Sequence, residues 1–241
     1  VFDASLHADR IIAISHHTRR SFLEIFPHYP ADRVVVIYPA SRFSCSSEIG
    51  RPRGLAHLRS SKFWLSVGTF EPRKNHRRLL AAYAKLKANV EQSLPLVLTG
   101  GPGWLMHGFE DTVRELGLTR DVVVLGYVDD TTLQWLYQNC LAFVYPSFYE
   151  GFGLPVVEAM TLGAPVICSD TTSLPEVVGG AGLLVDPFEV DEICQAMLKL
   201  SLDEVSRQTL SERALERAKS FSWGRTARAV LDLYEAVASE S

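Results

Sequence analysis

The chain carries no surplus of positive charge. Its 241 residues hold 24 lysines and arginines against 28 aspartates and glutamates, a net charge of −4. Proteins that bind nucleic acid are usually basic, so the balance points away from that partner. No apolar run approaches the roughly 20 residues that span a bilayer. No leader with a charged start and an apolar middle opens the chain. It does not open with methionine either, so residues upstream of Val1 are expected in the natural protein. Cysteine is scarce. Cys45, Cys140, Cys168 and Cys194 are scattered, none paired at metal-ligand spacing, and Cys140 and Cys168 lie in or beside apolar runs. They are expected to be free thiols in a reducing, cytoplasmic compartment. The histidines are dispersed as well. His16 and His17 are the one close pair, and adjacent helical positions point in different directions, so no metal site is expected.

What the chain does have is apolar content, 47% of its residues, enough for a substantial core. Short β-branched runs recur: "WLSV" (64–67), "LVLT" (96–99), "VVVL" (122–125), "AFVY" (142–145), "PVIC" (165–168) and "LLV" (183–185). They are nearly continuous, as in strands covered on both faces. Between them lie amphipathic segments, with Leu79, Leu80, Tyr83 and Leu86 on one helical stripe and Ile193, Ala196, Met197 and Leu200 on another. Alternating strands and helices predict an α/β fold, a Rossmann-like doubly wound parallel sheet over 63–222. Residues 1–45 differ. "ADRIIAIS" and "VVVIYP" read as strands around the helix "HHTRRSFLEIF". Two strands and a helix do not bury their own apolar faces. They read as the remnant of a preceding domain, with addition to the edge of the main sheet as the other option. Residues 46–62 are rich in Ser, Arg, Gly and Pro and read as a linker. The tail, 223–241, predicts a helix with a stripe of Val230, Leu233, Tyr234 and Val237. It packs either on the main domain or back on the first segment.

Ligands of open α/β sheets bind beyond the carboxyl ends of the strands. After the first strand of the sheet comes "GTFEPRKN": Gly68 permits a sharp turn, and Arg73 and Lys74 bring two cations. After the second comes "GGPGW", whose glycines permit close backbone approach, and after the third "GYVDD". After the fourth comes "YPSFYEGFGLPVVEAM". Here Pro155 suits the first position of a helix, since its missing N–H would be unpaired there anyway. The amides of Gly151 to Leu154 then face outward at the positive helix end, a place for an anion or a sugar hydroxyl. Glu150 lies before them and Glu158 one turn inside. Carboxylates accept hydroxyl hydrogen bonds, and cations complement phosphate. Together these groups suit a nucleotide sugar. Taken singly each has a plainer reading: a carboxylate favouring a helix dipole, a solvated turn, a glycine serving the turn alone.

"EGFGLPVVEA" places Glu150 and Glu158 on either side of seven intervening residues. It resembles the signature of retaining glycosyltransferases of family four, whose GT-B fold has two Rossmann domains. "VGTFEPRKN", "LGYV", "GAPVICSDTTSLPEVVGGAGLLVDP" and the tail with "FSW" are similar to that family too. The resemblance covers essentially the whole chain. It implies the C-terminal, donor-binding half of the fold plus the last elements of the N-terminal half. It implies that Lys74 and Arg73 neutralise a leaving diphosphate and that Glu150 contacts the transferred sugar. The amides of Phe152, Gly153 and Leu154 would bind sugar and phosphate, Glu158 the ribose hydroxyls, and Tyr127 and Val128 the nucleobase. Gly68, Thr69, Gly101 and Gly151 complete the implied donor site. Many members carry arginine where this chain has Thr69, and Arg73 is expected to supply that charge.

The expected function is transfer of a hexose, of mannose or glucose type, from a UDP- or GDP-sugar to a glycan or lipid-linked acceptor. Anomeric configuration is retained, by front-face attack, with no cofactor and no metal. "VDD" is read as the cap of the helix "TTLQWLY", not as a metal-binding pair. The "EPRKN" variant is similar to bacterial enzymes building surface polysaccharide, which implies a cytoplasmic seat, at the inner face of the membrane in one option. Residues 1–40 are expected to pack on an N-terminal half or on another chain. Two alternatives stand beside this: a nucleotide-sugar-binding module without transferase activity, and an epimerase, for which no acid–base set is visible.

Overall fold

A computed structural model describes residues 2–44, 49–56, 58–59, 62–90, 93–103 and 108–240. Cys45, Trp104 and part of the expected linker (46–48, 57, 60 and 61) lie outside the described residues.

The main unit is one parallel sheet of six strands: β3 (Trp64–Val67), β4 (Leu96–Thr99), β5 (Val122–Gly126), β6 (Ala142–Tyr145), β7 (Val166–Ser169) and β8 (Gly182–Val185). Their spatial order is β5-β4-β3-β6-β7-β8. The chain winds outward one way from β3, then returns to β6 and winds the other way, as in dinucleotide-binding sheets. The switch point between β3 and β6 is where such sheets bind ligands.

Side chains alternate across the strands. Trp64, Leu96, Leu98, Ala142, Val144 and Ile167 face one core, which α3 (His76–Asn89) and α8 (Val190–Leu202) complete with Leu79, Leu80, Tyr83, Leu86, Ile193, Met197 and Leu200. Leu65, Val97, Phe143, Tyr145, Val166 and Cys168 face the other. There α5 (Asp130–Asn139), α6 (Leu154–Thr161) and α7 (Leu174–Val178) contribute Leu133, Leu136, Val156, Val157, Val177 and Val178, while α4 (Phe109–Glu115) packs Phe109 and Val113 on the first core. The four inner strands are covered on both sides, as their composition predicts. The edge strands β5 and β8 are not: Val124 and Leu184 are exposed, so continuous apolarity overstates burial there. Cys140, Cys168 and Cys194 are buried free thiols.

The first segment holds α1 (Phe2–His7), β1 (Ile11–Ala13), α2 (His16–Ile25) and β2 (Val34–Val36). β1 and β2 pair with each other as a separate parallel pair, so the option of extending the main sheet is overturned. Ala13, Phe26, Tyr29 and Val34 form a small core of their own. Leu6, Ile12, Ile14 and Ile25 stay exposed, as the poor self-burial of so few elements requires.

Helix α9 (Glu204–Ala218), mostly polar, was not signalled by an apolar stripe. It sets Leu210, Ala214 and Ala218 against the sheet domain. The tail helix α10 (Trp223–Glu240) buries no side chain fully. It lies against the first segment: Trp223 Nε1 donates to Ser41 O (3.0 Å), Thr226 Oγ1 to Tyr38 O (2.7 Å), and Arg10 pairs with Glu240 (2.5 Å). Val230, Leu233 and Val237 are half-buried, but Tyr234 points to solvent, so it leaves the expected stripe.

Candidate functional site

Two crossovers build the site at the switch point. After β3 the chain passes Gly68 and enters a single 3-10 turn, Pro72–Lys74. Asn75 follows in the left-handed region, φ 59°. Its buried amide donates to Pro146 O (2.9 Å) and Pro187 O (2.7 Å), stapling this loop to those after β6 and β8. The Phe148 amide donates to Arg73 O (2.8 Å). The cation-bearing loop is therefore held against the glutamate-bearing one by backbone.

The glutamate loop is supported from the far side. Ser173 Oγ lies 2.9 Å from Glu150 O and 3.0 Å from Phe152 O, the Glu150 amide donates to Thr172 Oγ1 (3.2 Å), and Ser169 Oγ donates to Ser147 O (2.6 Å). Gly153 ends the loop at φ 100°, and a Cβ there would stand 2.6 Å from Leu174, so only glycine suits the position. Helix α6 begins at Leu154, with Pro155 as its second residue rather than its first. No backbone amide from Gly151 to Leu154 has an acceptor among the described residues. The Gly151 carbonyl is used: Ser15 Oγ (2.6 Å) and Thr18 Oγ1 (2.9 Å) of the first segment donate to it. Gly151 thus faces α2, and its carbonyl belongs to the contact with the first segment.

One carboxylate oxygen gathers the charged groups. Glu150 Oε1 accepts from Arg73 Nη1 (2.8 Å), Lys74 Nζ (2.7 Å) and Tyr145 OH (2.8 Å), with Ser147 Oγ also 2.8 Å away. Lys74 Nζ also donates to Tyr145 OH. Burial pushes the Glu150 carboxyl up, but Lys74 and the hydrogen bonds from Lys74, Ser147 and Tyr145 outweigh it and hold it below its ordinary value. Burial lowers Lys74, and Glu150 only partly restores it. Burial also works against Arg73, but Glu150 and Glu71 hold it above its ordinary value. Arg73 pairs with Glu71 as well (2.9 Å) and its side chain is 44% exposed. The pair of cations is formally balanced by two carboxylates, and Arg73 is the more exposed member.

Glu158 is separate. It is buried one turn inside α6, with Oε1 3.0 Å from Arg42 Nε and Oε2 accepting from Tyr137 OH (3.2 Å). Burial raises its carboxyl, opposed by Arg42 and the Tyr137 bond. Asp129, not Asp130, caps α5, its carboxylate accepting from the Thr132 amide (2.7 Å). Asp130 pairs with Arg42 (2.9 Å).

The structure thus brings Arg73, Lys74 and Glu150 together on the loops after β3 and β6, with Gly68 against Lys74, Thr69 beside Gly103 and the 151–154 turn following Glu150, and keeps Glu158 apart, against Arg42 and Tyr137. Val128 is packed on the core, and Tyr127 is 81% exposed. The glycines after β4 divide. Gly100 and Gly103 face backbone, a Cβ on either standing 2.1 Å from Gly68 O or Phe70 O, while Gly101 faces open space. The close approach expected of "GGPG" is therefore internal at two positions and open to a ligand only at Gly101. Residue-by-residue reading missed Tyr145, Ser147, Tyr137 and Arg42. Tyr145 and Ser147 had a signal, since both lie at the end of β6 beside Glu150. Arg42 had none, sitting just before a linker-like stretch. Among the described residues, no cluster of histidine, cysteine and carboxylate groups could hold a metal ion. No helix there is long and apolar enough to cross a membrane.

The family model described as "Glycosyl transferases group 1" matches residues 53–217. The chain is 41% identical to O-antigen chain mannosyltransferase B of Escherichia coli over 97% of its length, and 35% identical to the serotype-specific mannosyltransferase WbdA of Escherichia coli over 93%. It spans 63% of the first relative's length and 28% of the second's. Sucrose-phosphate synthase from Thermosynechococcus elongatus superposes over 99% of this chain and 61% of its own, with TM-score 0.83 and 26% identity. Anabaena Alr3699/HepE, solved in complex with UDP and glucose, covers 97% of this chain and 65% of its own at TM-score 0.82 and 20% identity, a likeness of fold.

Proposed function

The chain belongs to the group 1 glycosyl transferases, and from that premise we propose that it is the donor-binding half of a retaining enzyme of family four. In this reading it transfers a hexose from a UDP- or GDP-sugar to a glycan or lipid-linked acceptor. The observation that carries the reading is the convergence of Arg73, Lys74 and Glu150 at the β3/β6 switch point, beside unpaired amides at the start of α6. Mannosyltransferase relatives make mannose the favoured sugar. The UDP bound to a protein of the same fold supports a nucleotide donor.

The chemistry follows from charge. As the anomeric C–O bond breaks, positive charge grows on the sugar and negative charge on the departing diphosphate. Arg73 and Lys74 stabilise the diphosphate from one side, and the amides of Phe152, Gly153 and Leu154 from the other. Glu150, ionised and fixed by its donors, fits the sugar end, where a carboxylate favours the cationic transition state and accepts a hydroxyl. It does not fit a proton donor, because its partners favour the charged form. The acceptor enters on the leaving-group face, so configuration is retained. Glu158 takes ribose hydroxyls, and Tyr127 and Val128 flank the base.

The acceptor belongs to the side of the first segment. The exposed Ile12, Ile14 and Ile25 there are proposed to pack on the rest of an N-terminal half, supplied by the same protein or another chain. A nucleotide donor places the reaction in the cytoplasm, at the inner face of the membrane if the acceptor is lipid-linked. Calorimetric titration with UDP- and GDP-sugars tests the donor assignment: one of them binds, and Arg73→Ala and Glu158→Ala each weaken it at least about tenfold, some 1.4 kcal/mol. Binding of neither, or indifference to both substitutions, contradicts it.

A further inference from the structure

Arg42 lies outside the span that the family model matches, residues 53–217, yet it is the cation that meets Glu158. Its backbone is pinned at the crossing from the first segment to the sheet domain. The Ser41 carbonyl accepts from Trp223 Nε1 (3.0 Å), and the Phe43 amide donates to Ser41 Oγ (2.9 Å). From there the guanidinium passes over the Phe43 ring, 5.0 Å from its centre, and bridges two carboxylates: Glu158 through Nε (3.0 Å) and Asp130 through Nη1 (2.9 Å). Phe43 in turn meets Tyr137 edge-on, the ring that donates to the other Glu158 oxygen. Arg42 and Phe43 from the crossing segment, and Tyr137 and Asp130 from α5, therefore gather beside one buried carboxylate.

We propose that Arg42 is a positioning residue for the nucleoside end of the donor site, holding and aiming the Glu158 carboxylate from its anchor on Asp130. This rests on the reading of Glu158 as the acceptor of ribose hydroxyls. A carboxylate offers about four lone-pair sites. Arg42 and Tyr137 use one on each oxygen, which leaves one on each oxygen for two neighbouring hydroxyls. The contact therefore orients the group without blocking it. It also keeps the group charged. Burial works against the Glu158 anion, and so does the like charge of Asp130. Tyr145, on β6, shares its electrostatic surroundings. Of the groups around it, Arg42 is the one full positive charge within ion-pair distance among the described residues. A protonated Glu158 would turn one acceptor into a donor and lose the paired acceptance of two hydroxyls.

The test follows the Glu158 carboxyl carbon by NMR against pH, in the full chain as wild type, Arg42→Met and Arg42→Lys. Calorimetry then measures UDP and GDP binding at pH 6 and pH 8. Arg42 is 48% exposed, so neither substitution empties the core. The expected result is an upward move of the Glu158 midpoint in Arg42→Met, by about one unit or more, with Arg42→Lys between it and wild type. Nucleotide binding in Arg42→Met falls further at pH 6 than at pH 8. An unmoved midpoint overturns the proposal. So does tighter binding in Arg42→Met, which would make Arg42 a plug. A wild type that binds neither nucleotide overturns the ribose reading itself, whatever the midpoint does.

Discussion

Glu150 and Lys74 are both nearly excluded from water, and each depends on the other. Removing one partner of such a pair leaves an uncompensated buried charge, which typically costs about 3–5 kcal/mol. Lys74→Met should therefore lower the unfolding free energy by about 3 kcal/mol in urea, Arg73, Tyr145 and Ser147 making up the remainder. Adding Glu150→Gln should restore part of the loss. The pH dependence has a definite sign. The Glu150 carboxyl sits below its ordinary 4.5 when folded, so its contribution is present above that value and is lost as pH falls through the folded value. His76 adds a second acid-side slope. It is buried against Phe70, ring centres 4.7 Å apart, and burial, helped by Lys74, lowers it from 6.5 to about 4. Stability present above pH 6.5 should decline toward pH 4, by on the order of 3 kcal/mol in all. Unfolding of His76→Phe followed over that range should show the slope reduced. An unchanged slope would assign the loss to other groups.

At the scale of elements, strand and helix identity was legible because composition and period agreed. Every strand expected in the main sheet is there, within a residue or so at its ends. What was not legible has physical reasons. Helix α9 has no apolar stripe because it buries only Leu210 and two alanines, Ala214 and Ala218, so its surface reads as polar. Tyr234 was counted in the tail's stripe because a tyrosine at helical spacing looks apolar, though nothing there covers it. The "GGPG" loop gives a direct contrast. Gly100→Ala places a methyl 2.1 Å from the Gly68 carbonyl, whereas Gly101→Ala meets open space. The first should cost about 3 kcal/mol or more, since backbone has to move. The second should leave the melting temperature unchanged while weakening nucleotide binding. Equal melting losses would mean that the loop adjusts to either.

At the scale of the molecule, the parallel sheet was readable from alternation, and the candidate loops from which strands they follow, but the strand order that puts the switch point between β3 and β6 was not. The cross-connections were not. Arg42 to Glu158, Ser15 and Thr18 to the Gly151 carbonyl, and the bonds from α10 to Tyr38 and Ser41 join residues far apart in the chain. No local pattern encodes such pairs. They tie the first segment to the glutamate loop, so residues assigned to opposite sides of a reaction share one network. As proposed, a nucleoside diphosphate sugar lies between Arg73 and Lys74 at one end and Glu158 at the other. Calorimetric titration of the wild type with UDP, GDP and their sugars, repeated on Arg73→Ala and Glu158→Ala, tests it most directly. Saturable one-to-one binding of one nucleotide series is expected, weakened at least about tenfold by either substitution. Absence of binding by every nucleotide, or binding that both variants keep intact, would contradict it.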